Sequence, residues 1–210
     1  MEGNSALAAV SPFRSAQGRS EDRALKRQAL LVAAVRLSNE RGFHATSLDD
    51  VAASVGVTKP LVYHYLGNKD QVLLECVSFG LAQLREVAEA ARVEPGNGLD
   101  RLKAFLRRYA EVVMGDFGRC VIRTSDEMLT IESRARFRAA KREMDSAMRG
   151  MIEAAVADES VKADNVRLTA FTIAGALNWT ARWHQDDAGQ SRAETARDMV
   201  DILCAGLTPR

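Results

Sequence analysis

Two short apolar stripes separated by a single glycine, within residues 42–65, constrain this chain more than any other feature. Gly42-Phe43-His44-Ala45-Thr46-Ser47 leads into Leu48, Val51, Ala52 and Val55, spaced as one face of a short helix. Ser47 with Asp50 three residues on forms a capping-box start in which Asp stands for Glu. Gly56 then supplies the tolerance of positive φ that a tight turn between two helices needs. Thr58 is placed to cap the next helix. Pro60 lies in its first turn, where a missing N–H costs nothing. In that helix Leu61, Val62 and Tyr65 are expected to face the core, with Thr58, Lys59, Tyr63 and His64 turned outward. The result is a helix-turn-helix over about residues 45–64, whose second helix can enter a DNA major groove.

The rest of the chain reads as helix throughout. Ser20 is a candidate N-cap with Glu21 and Asp22 in the first turn, and Leu30, Ala34 and Leu37 form the stripe of a helix that Gly42 stops. Before it, residues 1–19 have little periodicity and are expected to form a disordered arm. Arg14 and Arg19 there are either inert or add phosphate or minor-groove contacts. Asn68 caps a fourth helix running to about Arg92, and Glu94-Pro95-Gly96-Asn97-Gly98 is a loop. Leu102, Phe105, Leu106, Tyr109 and Val113 mark a fifth helix, and a shorter one lies around residues 119–129. Phe137, Met144, Met148 and Met151 mark a long one from about Glu132. A further apolar helix covers 168–183, and the capping box Ser191–Glu194 opens a last helix ending at Gly206. The expectation is an all-α fold of about nine helices, with the DNA-binding head over residues 20–72.

Bulk properties exclude more than they suggest. The formal net charge is +1, and residues 1–75 hold nine Lys and Arg against eight Asp and Glu, so DNA affinity must come from the placement of charge. Cys76, Cys120 and Cys204 are odd in number and far apart, as expected of reduced cytoplasmic thiols. No stretch has the form of a signal peptide or a membrane span. His44, His64 and His184 lack metal-ligand spacing, and no nucleophile, phosphate-loop or dinucleotide motif is present, so neither an enzyme nor a metal or cofactor protein is expected.

Gly42-Phe43-x-Ala-Thr-Ser47, Val51-Ala52, Gly56-Val57-Thr58-Lys59-Pro60 and Tyr63-His64-Tyr65-Leu-x-Asn68-Lys69-Asp70 together resemble the TetR family of transcriptional repressors, continuously over about 50 residues. The resemblance implies a homodimer on double-stranded operator DNA, with residues 73–210 as a ligand-binding and dimerisation body. It implies Thr46 and Ser47 at a phosphate, Thr58, Lys59, Tyr63 and His64 at the groove or its walls, and Lys69 on the DNA backbone. Ser38 departs from the bulky apolar residue usual there.

Gly175-Ala176-Leu177-Asn178-Trp179-Thr180-Ala181-Arg182-Trp183-His184, Asp187-x-Gly189 and Phe117-Gly118-Arg119-Cys120 are similar to a subgroup controlling fatty-acid, steroid or phenylacetate breakdown. That similarity implies a coenzyme A thioester as effector, although His184 and Asp186 replace its usual Tyr and Pro. Phe105, Tyr109, Met128, Phe137, Met144 and Met148 then line an apolar slot or are simply core. Arg119, Arg123, Arg138, Arg142 and Arg182 reach the effector's phosphates, or the Arg-rich stretch 134–149 is a solvated face. Trp179 and Trp183, one turn apart, stack on adenine or form a dimer seam through helices 164–185 and 191–206. Two further readings stay open, a different apolar or aromatic ligand and a thiol-redox sensor.

Overall fold

A computed structural model of the chain describes residues 16–186 and 189–207. The expected arm up to residue 15, Arg14 included, and Asp187 lie outside the described residues. Nine α-helices occur among the described residues, with no strand: α1 (Ala16–Arg41), α2 (Leu48–Ser54), α3 (Lys59–Leu66), α4 (Lys69–Arg92), α5 (Gly98–Met114), α6 (Asp116–Arg123), α7 (Ile131–Ala157), α8 (Val166–Trp183) and α9 (Arg192–Ala205). A 3-10 turn, Asp126–Met128, joins α6 to α7.

Helix starts follow the capping chemistry closely. Ser47, Asn68 and Ser191 each accept from the amide three residues on while that residue's side chain returns to the cap amide, closing full capping boxes. Gly56 has φ +67°, a region closed to most residues, and turns α2 into α3. Three expectations are corrected. Helix α1 begins at Ala16 rather than Ser20, because Ala16 and Gln17 favour helix and Gly18 alone costs too little to break it. Thr58 occupies the N-cap position of α3 with extended backbone, but its hydroxyl makes no capping bond. The sixth helix ends at Arg123, with the 3-10 turn completing the stretch expected as one helix.

Two apolar cores divide within α4. The first joins α1 (Leu30, Ala34, Val35), α2 (Leu48, Val51), α3 (Val62, Leu66) and the first turns of α4 (Leu73, Cys76, Val77) to Val121 of α6 and Phe137 of α7. The second packs Leu84 and Ala88 of α4 against Leu102, Phe105 and Leu106 of α5, Met148 and Ile152 of α7, Ile173 and Leu177 of α8, and Val200 of α9. Each large apolar side chain among them is worth about 1.5–3 kcal/mol when fully removed from water. Head and body are therefore coupled through α4 and α6. Helix α6 reaches its seat because Gly118 lies directly on the backbone of Val112 and Val113, where a methyl group has no room.

Candidate nucleic-acid interface and ligand cavity

Helix α3 turns Val62 and Leu66 inward, one helical turn apart, with Tyr65 half-buried and its other positions exposed. Tyr63 is 50% exposed, and Lys59, Pro60 and His64 are exposed beside it. Leu61, expected in the core, is instead 40% exposed, because a helix of eight residues with only one buried edge cannot also bury the position before Val62. Tyr65 is half-buried against the head core, and its carbonyl accepts from Arg27 Nε at 3.0 Å.

Lys59 Nζ pairs with Asp49 Oδ2 at 2.6 Å, joining the first turns of α3 and α2. That contact is the first cause of the raised pKa of Lys59. Beside the pair lies a concavity of about 250 Å³ lined by His44, Thr46, Ser47, Tyr63, Asn68 and Lys69. Lys69 Nζ donates to the His44 carbonyl at 3.2 Å and sits 4.5 Å from the centre of the Phe43 ring. The concavity thus brings together Ser47, Tyr63 and Lys69, while Lys59, His64 and Thr58 lie on the adjoining helix. His44 and Asn68 were not expected there, since nothing in their spacing distinguishes a groove-lining residue from a cap or a loop residue.

Thr46 lines the same concavity, but its side chain is turned away from it. It is 5% exposed, and its hydroxyl faces the carbonyls of Gly42, at 3.0 Å, and Leu37, at 3.2 Å. It fastens the α1–α2 turn, and only its neighbour Ser47 presents a side chain outward. Even the Ser47 hydroxyl is engaged, donating to Asp50 Oδ2 at 2.6 Å.

In the body, a cavity of about 460 Å³ opens between five helices. Leu81 and Leu84 of α4, Tyr109 of α5, Val121 and Ile122 of α6, Met144 and Met148 of α7, and Phe171, Ala174 and Asn178 of α8 line it, with Lys141, Arg142 and Asp145 at its rim. Lys141 lies over the Phe137 ring, 4.8 Å from its centre, and Asp145 pairs with Arg149. Of the expected pocket residues, the structure brings Tyr109, Met144 and Met148 to this cavity, with Arg142 at its rim.

Each remaining one has another place. Phe105 is fully buried behind Tyr109, with ring centres 5.7 Å apart, and Phe137 fills the core between head and body. Met128 packs at the head–body seam beside Asn68 and Leu74. Arg119 donates to the His184 carbonyl at 2.7 Å in a separate polar cleft with Arg36, Asp116 and Arg192. Trp179 and Trp183 are 61% and 48% exposed on the outer face of α8, with Arg182 lying 5.9 Å from the centre of the Trp179 ring. Helical spacing shows which residues share a face, but not which face turns inward.

Helix α6 connects this cavity to the head. Its Val121 and Ile122 line the cavity, while its opposite side grips α1. Arg36 Nε pairs with Asp116 Oδ2 at 2.8 Å, and Asn39 Nδ2 donates to the Asp116 carbonyl at 2.8 Å. Arg123 donates to the Asn39 carbonyl at 2.5 Å and to the Ala181 carbonyl at 2.8 Å, binding α1, α6 and α8 together. These contacts fasten α6 to α1.

The three thiols are all buried. Burial pushes Cys120 up to about 11 and also raises Cys76 and Cys204, against the direction that makes a reactive thiolate. Among the described residues no cluster could hold a metal ion, and no helix is long and apolar enough to cross a membrane.

A helix-turn-helix head carried on a helical body that encloses a cavity defines a DNA-binding transcriptional regulator. The chain belongs to the TetR family: "Bacterial regulatory proteins, tetR family" matches residues 30–76, and "Tetracyclin repressor-like, C-terminal domain" matches residues 95–207. The HTH-type transcriptional regulator BetI of Rhizobium meliloti is 32% identical over 83 residues, 40% of this chain and 41% of the relative, so that match spans about two fifths of BetI. The TetR family regulator PfmR of Thermus thermophilus superposes with a TM-score of 0.76 at 26% identity, over 86% of this chain and 99% of PfmR. AibR in complex with isovaleryl coenzyme A and operator DNA shares the fold at a TM-score of 0.72 and 24% identity, over 84% of this chain and 96% of AibR.

Proposed function

We propose that this protein is a ligand-released repressor that binds a palindromic operator as a homodimer and leaves it when a coenzyme A thioester enters the body cavity. The observation that carries this reading is the composition of the cavity. Its interior is apolar, and two cations, Lys141 and Arg142, stand at its rim. An acyl chain suits the interior and the phosphates of coenzyme A suit the rim. Arg142 has no partner among the described residues, which leaves its guanidinium available to an anionic ligand. The complex of the related AibR with isovaleryl coenzyme A and operator DNA supports the same reading.

In this reading Ser47, Tyr63 and Lys69 bind the DNA backbone around the head's concavity, while Lys59, His64 and Thr58 work at the groove wall. The outer face of α8, with Leu168 at 61% exposure beside Trp179 and Trp183, and α9, with Ile202 at 75%, form the dimer seam. Two recognition helices must then sit about one DNA turn, roughly 34–36 Å, apart. A ligand that displaces α6 moves α1 and α4, and releases DNA once it favours the spread state by a few kcal/mol.

A mobility shift on the protein's own upstream DNA, repeated with acyl-coenzyme A thioesters and the matching free acids, tests this. Release by one thioester with its free acid inert is the expected result. Release by the free acid or by an aromatic compound alone would replace the thioester with a simpler apolar effector, for which the same cavity has room. DNA binding undisturbed by any of them would remove the cavity from the mechanism.

A further inference from the structure

The cavity holds one polar pair inside its apolar lining. Tyr109 is 4% exposed, and its hydroxyl donates to Asn178 Oδ1 at 2.8 Å. Burial pushes the phenol up to about 12, so it stays protonated at neutral pH and keeps donating. Asn178 therefore gives its oxygen to Tyr109. Its amide nitrogen, with two N–H donors, finds no protein acceptor among the described residues. Asn178 lines the cavity together with Tyr109, Met144, Met148 and Phe171, and none of the other groups lining its interior is a charged acceptor. Asn178 is half-buried on the wall of an open cavity, so this donor is within reach of an entering ligand and loses its solvent partners once one is bound.

We infer that Asn178, held in place by Tyr109, donates to the thioester carbonyl of the ligand and makes the site selective for acyl thioesters over thioethers of the same length. The inference rests on the thioester reading above. An uncharged carbonyl oxygen is the acceptor that suits this position. It needs no cation beside it, and the cations of the cavity stand at the rim instead. Tyr109 is a positioning residue here, since without its hydroxyl the amide is free to rotate and offer its oxygen. A site built to hydrogen-bond one ligand group discriminates strongly against an analogue lacking it, because its own polar group is then left unpaired.

Dissociation constants for a short-chain acyl-coenzyme A and the S-alkyl-coenzyme A of equal length, measured by titration calorimetry on the whole protein, test the inference. The unaltered protein is expected to prefer the acyl thioester by about tenfold. Asn178→Asp keeps the shape and the bond from Tyr109 but offers no amide donor, so its preference should fall below about twofold, while the added carboxylate weakens both compounds. Tyr109→Phe should lower the preference in part, and its melting temperature shows whether the fold is intact. Equal binding of both compounds by the unaltered protein overturns the carbonyl role and leaves the thioester reading standing. An unchanged preference in Asn178→Asp does the same. Binding of neither compound overturns both readings.

Discussion

Lys59 and Asp49 face each other across the helix-turn-helix with Nζ and Oδ2 2.6 Å apart, so a cation proposed to meet DNA is already paired with a carboxylate of the same head. DNA must therefore compete with Asp49 for Lys59. An exposed pair of this kind is weak and screened by solvent, so the competition is mild and a phosphate can win it.

Asp49→Asn should remove the competitor and reduce repulsion between the head and DNA. Operator affinity is expected to rise by up to about fivefold at low salt and less as salt screens the pair. Lys59→Ala should weaken binding evenly across operator variants and lower the salt slope by about 0.9 for each phosphate it leaves without a neutralising cation. Fluorescence anisotropy over a salt series reads both. Weaker binding by Asp49→Asn would show that the pair positions Lys59 rather than withholding it.

Arg123 ties α1, α6 and α8 through two backbone carbonyls. Arg123→Ala is expected to cost about 2 kcal/mol of stability, in the range of hydrogen bonds from a charged donor. It should also uncouple the body from the head, so that the effector still binds while releasing less DNA. Chemical denaturation and effector-dependent mobility shift, run on the same preparation, separate the two effects.

Gly118→Ala tests how tightly α6 is seated. A methyl group there meets the backbone of Val112, which cannot give way as a side chain would. Destabilisation of about 1–3 kcal/mol or more is expected, the range for overpacking in a filled core. A melting temperature equal to that of the unaltered protein would mean that α6 has room to shift.

The cysteines give an expectation of opposite kind. With the Cys120 thiol pushed up to about 11 and the other two also raised, the thiolate population at pH 7.5 is well under one in a thousand for Cys120. Maleimide labelling of the native protein should be slow, and operator binding should be unchanged by it. Rapid labelling accompanied by loss of binding would restore a thiol switch.

Arg192 holds the Asp186 carboxyl down at about 2, below its ordinary 3.8. A group depressed in the folded state stabilises the fold above its unfolded value and ceases to do so as pH falls through the folded one. The stability that Asp186 contributes should therefore be complete above about pH 4 and disappear between about pH 4 and pH 2. Melting temperatures of the unaltered protein and Asp186→Asn should converge across that window, and a constant gap would show that the Asp186–Arg192 pair contributes nothing.

The head was legible because its determinants are local. Ser47 with Asp50 and Asn68 with Gln71 fix helix starts within four residues, and Gly56 fixes the turn between them, so the helix-turn-helix needs no distant contact to be read. Leu61 was misplaced, and the use of the Thr46 hydroxyl left unread, for the complementary reason. Whether a leucine beside Val62 is buried depends on what lies across from it, and a threonine near a helix start can cap, fasten a turn or meet a phosphate with the same hydroxyl.

The sequence by itself determined the number and order of the helices, the caps at Ser47, Asn68 and Ser191 and the outward presentation of Lys59, Tyr63 and His64, all of which follow from backbone chemistry and periodicity over a few residues. The tertiary structure alone decided which apolar residues line a cavity and which fill a core. Phe105 and Tyr109 share one stripe of α5, yet Phe105 is sealed behind the ring that faces the cavity. Asn178 and Trp179 are neighbours on α8, yet one turns into the cavity and the other to the outside. Periodicity specifies a face, while the partner of that face is set by packing between helices far apart in the chain.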